Sequence, residues 1–239
     1  MNLVMITGAS RGIGAEITLE LLRQGYQVVG VSRGGPLEEV KEAYASSYRH
    51  IQCDLSDVAA VTEYIIQPEF IKGASYYGLI NNAAVAYDDI VTNIDYSALT
   101  SMFAINTMIP MLLTKYAIRN MLNYDKAGSL IHVSSICAHT GYKGLAMYAA
   151  TKGAMESFSR TTAREWGSRG IRSNCIVPGF TETDMNQNME EAMRSRIYAR
   201  TALREPTRKE SIAATVHFLL SDRSRSITGQ NIFVDSGTI

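Results

Sequence analysis

Tyr148 and Lys152 stand four residues apart in the stretch "MYAATKGAME", residues 147–156. The stretch is rich in alanine, the strongest helix former. On a helix that spacing puts the phenol and the ammonium on one face, about 5–6 Å apart at Cβ. A free phenol titrates near pKa 10 and is a sluggish acid–base group at neutral pH. A cation held close favours the phenolate and brings that value down. A tyrosine tuned in this way can give a proton to a carbonyl oxygen while hydride arrives at the carbon. Ser135, at the end of "HVSS" and before Tyr148, can hydrogen-bond the same oxygen as charge develops on it. Asn106 lies inside a long apolar helical pattern, where an amide needs hydrogen-bond partners. It could hold a water that passes protons toward Lys152. Together these residue types suit proton and hydride transfer at a carbonyl.

The hydride needs a carrier, and the N-terminal segment offers a site for one. An apolar run leads into "TGASRGIG", residues 7–14, and then into a helical pattern. Gly8, Gly12 and Gly14 permit a tight turn, close approach to a pyrophosphate and close helix–strand packing. The helix N-terminus offers unpaired N–H groups to the phosphates. Thr7, Ser10, Arg11 and Ile13 complete this cofactor-binding turn. The next strand ends in "VSRGG", residues 31–35, which lacks the acid that would take a ribose 2′-hydroxyl. Ser32 and the planar guanidinium of Arg33 suit a 2′-phosphate instead, with Arg11 in reach of the same group. The expected cofactor is therefore NADP. Asp54, with Leu55 beside it, either accepts from the adenine amino group or caps the helix that begins near "SDVAAV". In "NNAA" (81–84), Asn82 and Ala83 end a strand and either tie loops together or line the cofactor cleft.

These residues must be positioned by a regular scaffold. Strands are expected over 3–7, 27–32, 50–54, 78–81, 129–135, 174–179 and 231–235, most of them apolar nearly throughout. Helical patterns cover 13–25, 95–122, 147–167 and 209–221. That alternation predicts an α/β fold, a Rossmann-type doubly wound parallel sheet of about seven strands in one domain spanning residues 1–239. Ligands of such sheets bind beyond the C-terminal strand ends.

Composition narrows the class further. Lys+Arg and Asp+Glu balance at 23 each, so no global field points to nucleic acid or an anionic membrane. Cys53, Cys137 and Cys175 are too few and scattered for a disulfide framework or metal cluster, and suit a reducing compartment. Thr7-Gly8 interrupts the first apolar run, and residues 102–118 contain Asn106, Thr107, Pro110 and Lys115, too broken for a membrane span. A cytoplasmic protein is expected.

The spaced motifs resemble the short-chain dehydrogenase/reductase family over essentially the whole chain. Its TGxxxGxG motif matches Thr7, Gly8, Gly12 and Gly14, and its NNAG motif matches Asn81, Asn82 and Ala83, with Ala84 in place of Gly. Its catalytic Asn, Ser and YxxxK match Asn106, Ser135, Tyr148 and Lys152, the last two also touching cofactor. Its PG motif matches Pro178-Gly179, and the resemblance places Thr181 and Thr183 near the cofactor carboxamide and pyrophosphate. Residues 168–185 and the C-terminal "ITGQNIFVDSG" are most similar to 3-oxoacyl-acyl-carrier-protein reductases, although sugar, polyol, steroid and quinone reductases share much of this. The resemblance implies a homotetramer pairing the helices of Asn106 and Tyr148. It also implies an acyl carrier protein docking on Lys126 and Arg169 near the pocket mouth. Arg194, Arg196, Arg200 and Arg204 add charge on or beside a substrate lid at about 184–205. Met185, Met189 and Met193 recur at helical spacing and either wall the pocket or pack the lid on the body. The rival from another class is a nucleotide-sensing protein that kept the fold and lost the chemistry.

Overall fold

The β-branched runs pair into one sheet. The computed structural model describes residues 2–183 and 189–239. Its strands are β1 (Leu3–Thr7), β2 (Gln27–Ser32), β3 (Tyr48–Gln52), β4 (Gly78–Asn81), β5 (Gly128–Val133), β6 (Ile171–Pro178) and β7 (Asn231–Val234). They form a seven-stranded sheet in the order β3-β2-β1-β4-β5-β6-β7, every pair parallel. The helices are α1 (Gly12–Arg23), α2 (Glu38–Ala43), α3 (Val58–Val61, continuing in π register over Thr62–Ile71), α4 (Tyr96–Asn123), α5 (Ala146–Trp166), α6 (Glu191–Tyr198) and α7 (Lys209–Leu220). Parallel strands need crossovers, and each crossover lays a helix on a face of the sheet. One face is therefore covered by Phe70, Leu113 and Met121 from α3 and α4. The other is covered by Ile17, Leu21, Val216 and Leu219 from α1 and α7.

Several element bounds differ from the sequence expectation for reasons of pairing. The ladder of β3 on β2 ends at Ser32 opposite Gln52, so Cys53 and Asp54 leave the sheet. β6 begins at Ile171 because Gly128 of β5 is there to pair with it. β5 stops at Val133, which places Ser134 and Ser135 just past the ladder. The 28-residue α4 has the length and hydropathy of a membrane span, contrary to the reading of 102–118 as too broken. Leu113, Ala117 and Met121 are nevertheless completely buried at successive turns. Burying each such side chain is worth about 1.5–3 kcal/mol, less for alanine. α4 is a core helix.

Under the sheet lies a closed polar group. Arg49 donates to both carboxylate oxygens of Glu69, at 2.6 and 2.5 Å, and the buried Tyr76 hydroxyl donates to Glu69 Oε2 at 2.6 Å. Burial alone would raise the Glu69 carboxyl, but the Arg49 and Tyr76 hydrogen bonds outweigh it and hold the group below its ordinary value. A carboxyl depressed in the fold contributes stability above its unfolded pKa, near 4.3, and loses that contribution as pH falls through the folded value. Tyr76→Phe should cost about 1 kcal/mol in urea unfolding at pH 7. Glu69→Gln should flatten the loss of stability between about pH 5 and 3, and an unchanged acid limb would disprove this role.

Candidate active site

β1 connects outward to β2 and β4 to β5, so the sheet order reverses between β1 and β4. A crevice opens there at the C-terminal strand ends. The glycine turn fills its floor. Asn82 Nδ2 donates to the carbonyls of Thr7 and Gly8 at 2.9 and 3.2 Å, and Thr7 Oγ1 accepts from the amides of Asn82 and Ala83, both at 3.1 Å. Asn82 and Ala83 thus tie the β4 loop to the turn. A Cβ at Gly14 would lie 2.1 Å from the Gly8 carbonyl oxygen, so any side chain would lever α1 off the turn. α1 begins at Gly12 with no side-chain cap from Arg11, which leaves its first N–H groups for a ligand. That uncapped end, facing Thr183 across from Gly12 at 3.5 Å from a built Cβ, fits a pyrophosphate.

Ser10 approaches Gly34, so the glycine turn adjoins the loop after β2. Arg11 and Arg33 are exposed, and neither forms an ion pair among the described residues. The Ser32 hydroxyl donates to the Gly34 carbonyl at 2.9 Å. Asp57, not Asp54, caps α3 through the Ala60 amide at 3.0 Å. Asp54 Oδ1 accepts from the amide and hydroxyl of Ser56, both at 2.9 Å. Those bonds, helped by nearby Arg33, keep its carboxyl below the usual range. Leu55 turns its side chain into the core cluster. Past Pro178 and Gly179, the Thr181 hydroxyl donates to the Gly179 carbonyl at 3.2 Å.

The end of β5 and the first turns of α5 bring the reactive groups together. The Ser135 hydroxyl caps the short turn Ile136–Ala138, accepting from the Cys137 amide at 3.2 Å, and acts on the Tyr148 phenol in the direction that lowers its pKa. Lys152 Nζ donates to the Val133 carbonyl at 2.7 Å and lies 5.5 Å from the Tyr148 ring centroid. Asn106 sits in the π-helical turn of α4, Ala104–Met108. Its Oδ1 accepts from the Val85 amide at 2.9 Å, while Nδ2 donates to the Val85 carbonyl at 2.8 Å and to Thr151 Oγ1 at 3.1 Å. The amide is occupied in holding the β4 loop to α5, in a π register of the kind that often marks functional sites.

The electrostatics correct one expectation. Lys152 does not pull the Tyr148 phenol down; burial pushes it above its ordinary value, Cys137 and Asp88 push the same way, and only Ser135 opposes them. Burial instead loosens the proton on Lys152, whose pKa falls to about 8. Tyr148 therefore rests as a neutral phenol, the form that can donate a proton.

Other groups at the site carried weak signals or none. Glu156, one turn beyond Lys152 on the same helix face, is buried and accepts from Ser134 Oγ at 2.5 Å and Asn231 Nδ2 at 2.6 Å. Its pair with His139, at 2.9 Å, fixes the turn that follows Ser135. The 148–152–156 spacing was its signal. Asp88 and Cys137 had none, because only the folding of the loops brings them to Tyr148. Of the lid, residues 184–188 lie outside the described residues, Met185 among them. Met193 on α6 is 55 % exposed, so it does not pack the lid on the body. Glu182 ties α6 to the chain after β6 through Tyr198 at 2.5 Å and Arg194 at 3.5 Å. Lys126 and Arg169 precede β5 and β6, at the N-terminal ends of the strands and opposite the crevice, and Arg169 pairs with Asp125 at 3.2 Å. Within one chain they do not border the pocket mouth. A carbon-13 titration of labelled lysines in the cofactor-free protein should show one resonance titrating near 8, not near the usual value of about 10.4, and absent from Lys152→Met. Lysines that all titrate normally would contradict the buried ammonium.

Comparison with known proteins agrees with this geometry. A family model described as enoyl-(acyl carrier protein) reductase matches residues 8–238. The chain is 31% identical over 241 residues to an L-xylulose reductase of Caenorhabditis elegans, covering 98% of this chain and 94% of that protein. It is 31% identical over 239 residues to the 3-oxoacyl-[acyl-carrier-protein] reductase FabG of Staphylococcus aureus, covering 98% and 96%. Among solved structures, ElxO with NADP bound superimposes with a TM-score of 0.89 at 26% identity, covering 99% and 98% of the two chains. A 4-hydroxyisoleucine dehydrogenase complexed with NADH shares the fold, with a TM-score of 0.92 at 24% identity over 100% and 98%. Family model, full-length relatives and the Ser135–Tyr148–Lys152 geometry agree: the chain is an oxidoreductase belonging to the short-chain dehydrogenase/reductase family.

Proposed function

We propose that this chain reduces the 3-oxo group of an acyl thioester to the 3-hydroxyacyl form with NADPH. The observation that carries carbonyl reduction is the gathering of Ser135, the neutral Tyr148 phenol and a buried Lys152, whose Nζ lies 5.5 Å from the Tyr148 ring, at the strand end that faces the glycine turn. NADPH, when bound, supplies the hydride. The uncapped start of α1 receives its pyrophosphate, and Arg11 and Arg33 meet its 2′-phosphate, as suits a relative solved with NADP bound. Ser135 holds the carbonyl oxygen where negative charge grows. Tyr148, resting as a neutral phenol, gives its phenolic proton to that oxygen, and Lys152 pins the helix that presents it to the end of β5. The intact set also disfavours a purely nucleotide-sensing role.

The thioester assignment draws on the FabG relatives and on the exposed side chains Met193, Leu203, Arg196, Arg200 and Arg204 on and after α6. An acyl carrier protein would bring the substrate. The 21 residues of α5 put Arg169 about 30 Å from the Tyr148 end of the helix. A homotetramer pairing α4 and α5 antiparallel with a second copy would return that copy's Lys126 and Arg169 to this mouth. Exposed Tyr96 and Met108 on α4 suit such pairing. The free thiols Cys53, Cys137 and Cys175 suit a cytoplasmic setting. A second reading is a polyhydroxylated ketone. Asp88 bears on Tyr148 and would accept from substrate hydroxyls, and the L-xylulose reductase relative points the same way.

Tyr148→Phe should lower kcat by about 10²- to 10⁴-fold while the NADPH Kd stays within about twofold. Retained turnover would remove Tyr148 as the acid. Steady-state rates on a carrier-linked 3-oxoacyl substrate, a short thioester and L-xylulose separate the substrate readings. Lys126→Glu with Arg169→Glu should depress only the carrier-linked rate, and high salt should do the same to the native protein. Equal losses on both thioesters would rule out docking, and a preference for the ketose would favour the second reading.

A further inference from the structure

The edge strand β3 carries two side chains on the same face as the glycine turn, Tyr48 and His50, two residues apart. Tyr48 reaches across β2 because residue 30 has no side chain. A Cβ at Gly30 would lie 2.3 Å from the Tyr48 hydroxyl. Lying there, that hydroxyl is 2.9 Å from His50 Nδ1. The other ring nitrogen, Nε2, is 2.8 Å from the Gly34 carbonyl oxygen and 3.3 Å from Ser32 Oγ. A carbonyl only accepts, so Nε2 carries the ring proton and donates to Gly34. Nδ1 then accepts from Tyr48. Gln52 Nε2 donates to the Arg33 carbonyl at 2.9 Å from the same strand. The turn that presents Arg33 is thus held from below by β3.

We infer that His50 is a positioning residue for the 2′-phosphate of NADP: it anchors the Arg33–Gly34 turn and frees the Ser32 hydroxyl to face the phosphate. The inference rests on the NADPH reading above and names a further determinant of it. Ser32 has one hydroxyl hydrogen, now directed at the Gly34 carbonyl. A phosphate accepts only, so Ser32 can serve it only by turning that hydrogen away from Gly34. The His50 N–H keeps the Gly34 carbonyl satisfied when it does. Without His50, turning Ser32 outward would strand the carbonyl, and the turn bearing Arg33 would lose an anchor. Burial lowers the His50 pKa and raises Tyr48 to about 12, so both stay neutral and keep these donor roles at neutral pH.

The test is calorimetric and needs no turnover. Dissociation constants are measured for 2′,5′-ADP, 5′-ADP, NADP and NAD, with thermal melts to monitor the fold. His50→Ala should weaken 2′,5′-ADP and NADP by about tenfold, the scale of a hydrogen bond to a charged group, and leave 5′-ADP and NAD within about twofold. His50→Gln, which keeps a donor for Gly34, should recover most of the loss. Tyr48→Phe, which keeps the ring but frees its tautomer, should give a smaller loss with the same selectivity. If His50→Ala does not fold, this variant decides alone, and no selective loss in it would overturn the inference. Equal weakening of all four ligands would show a merely structural residue and overturn the inference, as would no change. A native protein that binds 5′-ADP as tightly as 2′,5′-ADP would refute the NADPH reading itself, a distinct result.

Discussion

The site depends on one buried hydrogen bond, from Lys152 Nζ to the Val133 carbonyl at 2.7 Å. An ammonium taken out of water costs several kcal/mol unless it is well solvated by the protein. Lys152 is 3 % exposed, and Val133 is where β5 runs out of ladder partners, so its carbonyl is available. That bond pins α5 to the strand end. With the helix pinned, Tyr148, one turn earlier, lies over Ser135. One turn later, Glu156 gathers Ser134, His139 and Asn231. Three side chains on one face of α5 thus hold the strand end, the turn after it and the start of β7.

The cofactor half is joined to this catalytic half by a second polar chain. Thr7 binds the amides of Asn82 and Ala83, the loop continues to Val85, and Asn106 clasps Val85 by both its amide and carbonyl. Asn106 then bonds Thr151, the neighbour of Lys152. Each partner in the chain is satisfied, which suits a network at a low-dielectric site. Such a chain keeps the glycine turn and the Tyr148 phenol in a set relation, the preorganisation that hydride transfer needs.

The charge state follows from the same burial. Low dielectric disfavours the phenolate on Tyr148 and the ammonium on Lys152 alike, raising the first and lowering the second. A neutral phenol beside Ser135 is poised to donate, and Asp88 at the rim reinforces that state by opposing a second negative charge. The protein alone therefore favours the protonated tyrosine.

The alternation of strands and helices, the glycine turn and the spacing that brings Ser135, Tyr148 and Lys152 together were legible in the sequence. They are local: periodicity follows from backbone geometry, and a four-residue spacing on a helix has one geometric meaning. What the spacing could not give was which partner each polar group meets. Lys152 bonds a carbonyl on another element instead of tuning the phenol, and Asp57 takes the capping role left open for Asp54. Lys126 and Arg169 fall at the opposite, N-terminal ends of the strands, because both precede strands whose C-terminal ends form the crevice. Glu156, Asp88, Cys137 and His50 acquire their places only when strands separated in the chain are laid side by side. Sequence determines which chemical groups are present and their local direction; only tertiary packing decides burial and partners, and those set the charge each group carries.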